Sequence, residues 1–126
     1  MPKILLIDDD ADEKIFISLQ LKNLGCSDVI IDHVFTCSEG MMKLTQFKYD
    51  LVLLDNVLAD SVSAEFSVPF LKDHLKQTPI AVISNNIAAP YLSNPVGLGV
   101  DFIIDKNKLD KFLGLIVPAL KSRRVD

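Results

Sequence analysis

Residues 51–55 read LVLLD, an unbroken apolar run that ends on a carboxylate, and this stretch decides the fold. A strand with one wet face alternates apolar and polar side chains, whereas a strand covered on both faces by helices is apolar throughout. The same pattern recurs in both directions along the chain. ILLI at 4–7 runs into Asp8, Asp9 and Asp10, and IAVI at 80–83 runs into Ser84. With two further apolar runs, strands are expected over Lys3–Ile7, 28–34, 50–54, 79–83 and 100–104, the last ending near Lys106.

Helical spacing fills the intervals. Leu109, Phe112, Leu113, Ile116, Val117 and Leu120 make one apolar face, with Asn107 as the expected N-cap, Asp110 in the first turn, and Pro118 expected to bend or shorten the last turn. A first helix is expected from Ala11, capped by Asp10, presenting Ile17, Leu21 and Leu24, and stopped by Gly25. A second should follow Thr36, whose pairing with Glu39 makes a capping box. A third is expected over 63–76 despite Pro69. The fourth, within 85–98, holds Pro90 and Pro95 and should be short or broken. Strands alternating with helices call for parallel strands joined by right-handed crossovers, an α/β doubly wound sheet in one domain over 1–126.

Composition agrees. The chain has 126 residues, enough to bury a core without disulfides, and 49% of them are hydrophobic. Net charge is −4, and basic residues cluster only at Lys121, Arg123 and Arg124, so direct nucleic-acid binding is not expected. No run is long enough to span a membrane and no leader is evident, so a soluble, cytoplasmic protein is expected. Cys26 and Cys37 lack metal-ligand spacing and read as buried thiols. His33 and His74 are isolated and suggest neither catalysis nor metal binding.

In an open parallel sheet, ligands bind beyond the carboxyl ends of the strands. Asp8, Asp9, Asp55, Ser84 and Lys106 all stand there. Singly, each is an ordinary cap, turn residue or solvated lysine; together they define one edge. Carboxylates gathered at one edge repel, and a divalent cation relieves the repulsion. With oxygen donors and no thiolate or imidazole nearby, Mg²⁺ fits best. Phosphoryl transfer suits such a site: Asp55 as nucleophile, Mg²⁺ on one phosphoryl oxygen, the Lys106 ammonium on a second, and the Ser84 hydroxyl on the third. Before phosphorylation Lys106 is expected to pair with Asp55 and hold its pKa down.

LLIDDD, SEGMMKL with its glycine, YDLVLLDNVLAD, PIAVISN and GLGVDFIIDK occur in the order and at the intervals of a known family. Over nearly its whole length the chain resembles the receiver domain of bacterial two-component response regulators. The resemblance implies a flavodoxin-like, CheY-like sheet of strand order 2-1-3-4-5. It implies Asp55 as phosphoacceptor, Ser84 and Lys106 as contacts to the phosphoryl group, and Asp8 and Asp9 as the acidic pair that holds the metal together with Asp55, Asp9 the more direct ligand of the pair. The backbone carbonyl of Val57 would complete the metal's protein ligands.

Several positions depart from the family pattern. Ala59 and Asn107 replace customary prolines, and SVSAEF lacks the usual glycine. Val57 and Asn86 stand where receivers tune phosphoryl lifetime; the Val57 side chain cannot orient water, so slow self-dephosphorylation is expected. Spacing to Lys106 puts Ile103 where a signalling aromatic is usual, leaving Phe102 as a packing residue.

The expected function is a phosphorylation-controlled switch rather than an enzyme in its own right. The phosphoryl group would come from a histidine kinase or histidine phosphotransfer protein, and output would pass through the face around the fourth helix, fifth strand and fifth helix to a partner or a further region. Phosphorylation-driven homodimerisation is left open. One alternative is a degenerate receiver that serves as a docking module. The other is a small Mg²⁺-dependent phosphatase or flavodoxin-like redox protein, disfavoured because no glycine-rich phosphate loop follows the first strand and DDDAD lacks a threonine.

Overall fold

The structure, a computed structural model, describes residues 2–61 and 63–123. The elements are β1 (Lys3–Ile7), α1 (Ala11–Asn23), β2 (Ile30–Val34), α2 (Cys37–Gln46), β3 (Leu51–Asp55) and α3 (Ala64–Leu75). There follow β4 (Ile80–Ser84), a 3-10 turn (Pro90–Ser93), α4 (Pro95–Leu98), β5 (Phe102–Asp105), a second 3-10 turn (Lys106–Lys108) and α5 (Leu109–Arg123). The strands pair in parallel in the order β2-β1-β3-β4-β5, the doubly wound arrangement expected from the sequence. Strand order reverses between β1 and β3, which puts a crevice beyond their carboxyl ends.

The unbroken apolar runs now have their reason. Successive side chains of a strand point to opposite faces. Leu5, Ile7, Val52, Leu54 and Val82 enter a core with α2 and α3, while Ile4, Leu6, Leu51, Leu53 and Ile83 enter a second core with α1 and α5. β2 is an edge strand, only partly buried. On the first core's side α2 lies so close to β1 that a Cβ at Gly40 would collide with the Ile7 side chain.

Local chemistry sets most boundaries. The Asp10 carboxylate accepts from the Asp12 amide; Thr36 accepts from the Glu39 amide while the Glu39 carboxylate accepts from the Phe35 amide, one residue earlier than in a strict capping box; and Ser63 caps α3. Leu24 does not share the buried face of Ile17 and Leu21; it is the C-cap of α1, exposed, with Gly25 turning the chain at φ 73. α3 tolerates Pro69 and ends at Leu75, because Lys76 adopts a left-handed φ of 53. β2 starts two residues later than expected, and β5 occupies Phe102–Asp105 instead of 100–104. Asn107 is not the cap before α5: the Asp105 carboxylate accepts from the Asn107 amide and opens the 3-10 turn that precedes the helix. α5 continues past Pro118 to Arg123, so its final turn is not shortened.

The interval after β4 is broken as expected. Pro90 and Pro95 each begin a short helical piece, where a missing N–H deprives no helical bond. Of the basic cluster, Lys121 pairs with Asp28 at 2.9 Å; Arg124 and the Arg123 side chain lie outside what the structure describes. Among the described residues no helix is long and apolar enough to cross a membrane.

Candidate functional site

Parallel pairing brings the carboxyl ends of β1, β3, β4 and β5 to one edge, and the chemistry-bearing residues come with them. Asp8, Asp9 and Asp55 each offer a carboxylate oxygen, all within 4.8 Å of one another. Asp8 is fully buried; one of its oxygens accepts from the Asp10 amide at 2.9 Å and the other from the Lys106 ammonium at 2.9 Å. Lys106 also stands 3.3 Å from Glu13 and 3.5 Å from Asp55. Its strongest partner is thus Asp8, not Asp55 as expected.

That difference reverses an electrostatic expectation. Burial, then the negative charge of Asp8, push the Asp55 carboxyl well above the usual carboxylate range, and the attraction of Lys106 does not offset them. Lys106 is burdened by burial too, but its hydrogen bond to Asp8 and the charges of Asp55, Asp8 and Glu13 outweigh that and raise its pKa. The lysine is firmly cationic inside an over-acidic cluster.

Beside Asp55 lies a cavity of about 350 Å³ with Val57, Ser84, Asn86, Leu92 and Lys106 in its walls. Ser84 is buried there, and its hydroxyl donates to the Asn86 carbonyl at 2.9 Å and accepts from the Asn86 amide, so contact with a ligand requires rotation. The loop after Asp55 closes without the customary proline and glycine. Leu58 and Ser61 exchange backbone hydrogen bonds, Asp60 accepts from the Cys37 and Ser38 amides at the start of α2, and Asn56 accepts from Ala64 at the start of α3. No cis peptide occurs among the described residues. Phe102 meets Phe112 edge-on at 5.1 Å against α5, while Ile103 faces the other core, so Phe102 is a packing residue.

Four participants escaped sequence reasoning. Glu13 joins the lysine cluster from the first turn of α1, one helical turn beyond the acidic strand end, and that spacing could have flagged it. His33 is not isolated: its Nε2–H donates to the Asp8 carbonyl at 2.7 Å and its ring stacks on Phe35. Asn56 and Tyr91 share a hydrogen bond at 2.9 Å, and no local pattern joins residues so distant in sequence.

The donor set suits a hard divalent cation, because it is made of carboxylate oxygens whose surplus negative charge already disturbs Asp55. Asp9, exposed, and Asp55, whose ion pair with Lys106 is the longer one at 3.5 Å, are better placed to hold it than Asp8, whose two oxygens already accept from Asp10 and Lys106.

No protein-family model and no curated protein sequence matches the chain. Solved structures do. A two-component response regulator from Clostridium difficile superposes with a TM-score of 0.80 at 25% identity, covering 100% of both chains. The receiver domain of a Francisella response regulator gives 0.76 at 20% identity, covering 98% of this chain and 99% of that one. The receiver domain of a sensor histidine kinase from Pseudomonas aeruginosa, solved with magnesium coordinated in its active-site cleft, gives 0.70 at 19% identity over 89% and 93%. The chain has the fold of the receiver domains of two-component response regulators, as its sequence motifs imply.

Proposed function

We propose that the chain is a phosphoacceptor switch, with Asp55 taking a phosphoryl group from a phosphohistidine donor. The observation that supports this most directly is the gathering of Asp8, Asp9 and Asp55 with the Lys106 ammonium at one sheet edge. In the transfer, an Asp55 carboxylate oxygen bonds to phosphorus as the phosphorus–nitrogen bond breaks, and imidazole leaves. Lys106, 3.5 Å from Asp55, would shift toward a phosphoryl oxygen and neutralise it. Ser84 would exchange its bond to Asn86 for one to the phosphoryl group. Asp9, Asp55 and the Val57 carbonyl would hold Mg²⁺, which supplies charge neutralisation when bound.

The donor would be a histidine kinase or histidine phosphotransfer protein, and the signal would leave through the α4-β5-α5 face to a protein partner. Val57, exposed in the cavity wall, brings no polar group to orient water, which supports a long-lived phosphoryl group. Incubation with acetyl phosphate and Mg²⁺, followed by intact-mass measurement, should add one phosphoryl group to the wild type and none to Asp55→Asn. Equal labelling of both proteins would refute the assignment, and no labelling of either would favour the docking-module reading.

A further inference from the structure

The segment from Asn85 to Gly99 is nearly detached from the rest of the molecule in hydrogen-bonding terms. Its bonds are local ones inside the 3-10 turn, α4 and the Asn86 loop. Among the described residues one hydrogen bond joins it to a distant part of the chain: the Tyr91 hydroxyl donates to the Asn56 side-chain oxygen at 2.9 Å. Asn56 directly follows Asp55, is buried, and is anchored through its own amide to Ile83. Its side-chain oxygen also accepts from the Ala64 amide at 3.0 Å, so both lone pairs are used. One amide oxygen therefore ties the wall of the Asp55 pocket to the start of α3 and to the turn before α4.

Apart from the packing of Leu92 into the core, the segment's other attachment is polar and lies on the same pocket. Ser84 holds Asn86 by its carbonyl and its amide, and a ligand on Asp55 that recruits the Ser84 hydroxyl releases that carbonyl. The freed loop leads five residues on to Tyr91, whose hydroxyl then bears the strain of any shift. β5 offers no substitute relay, because Ile103 has no polar tip and Phe102 is packed on Phe112.

We propose that Tyr91, through Asn56, is the positioning residue that transmits occupancy of the Asp55 pocket to residues 90–98. This rests on the phosphoacceptor reading above. Without the Tyr91 hydroxyl the pocket would still take a phosphoryl analogue, but the segment would no longer follow it.

The test is amide NMR of the full chain with beryllofluoride and Mg²⁺, on wild type and Tyr91→Phe. The wild type should show ligand-induced shifts both at 84–86 and at 90–98. Tyr91→Phe should keep those at 84–86 and lose about half or more of those at 90–98. Equal shifts at 90–98 in both proteins would overturn the proposal, as would wild-type shifts confined to 84–86. An absence of shifts anywhere in the wild type would overturn the phosphoacceptor reading and this proposal together. A measurement that needs no variant guards against misfolding: exchange of the Ala64 amide, which shares the Asn56 oxygen, should change at least about twofold on ligand binding. An unchanged rate would count against the relay.

Discussion

On the β1–β3 side of the sheet the site stands on side chains with no solvent contact, among them Ile7, Leu53, Leu54 and Asp8. Across β4, residues 85–99 form a 3-10 turn and a four-residue helix, with Val96 89% exposed. The first region holds charges in place against their mutual repulsion; the second is anchored by buried Leu92 but by few long-range hydrogen bonds, and can respond to them. Low local stability at a responsive surface is an ordinary requirement of switching.

The contrast is sharpest in core packing. Leu54→Ala should cost about 2–5 kcal/mol in denaturant unfolding, since it opens a cavity between sheet and helices. Val96→Ala should change stability by less than about 0.5 kcal/mol. Comparable losses at the two positions would erase the distinction between them.

Charge on the rigid side comes next. A raised Asp55 pKa means that the folded state binds the proton more tightly than the unfolded state. Its contribution to stability is therefore present at low pH and is lost as pH rises from the ordinary carboxylate range through the folded-state value. In metal-chelated buffer Asp55→Asn should be more stable than wild type by about 1–3 kcal/mol at neutral pH. The advantage should shrink toward pH 4, and thermal unfolding across that range checks it. Lys106→Ala works in the opposite sense by leaving buried Asp8 without its cation. It should remain folded but lose roughly 1–3 kcal/mol in the same assay. Unfolding of Lys106→Ala would make the lysine mainly a structural residue.

Much of this was legible in the sequence because the informative residues sit where local rules are strong. LVLLD and IAVIS encode burial on both faces, Thr36 and Glu39 announce a helix start, and the acids at strand ends fall where parallel pairing converges. Boundaries set by competition were not legible: Asp105 caps a 3-10 turn where Asn107 was expected to cap the helix, and Pro118 did not curtail α5. Partner choice inside the site was hidden for a different reason. Whether Lys106 prefers Asp8 or Asp55 depends on fractions of an ångström between three strand ends. The Tyr91–Asn56 bond spans 35 residues of sequence and follows only from the folded path.

The most direct test of the account is to locate the phosphoryl group chemically. Wild-type protein is treated with acetyl phosphate, with and without Mg²⁺, then reduced with borohydride, which converts an aspartyl phosphate to homoserine. Peptide mass spectrometry should find homoserine at the position of Asp55 only when Mg²⁺ was present. Homoserine at position 8 or 9, or labelling of Asp55 that is indifferent to Mg²⁺, would contradict the roles assigned to these carboxylates.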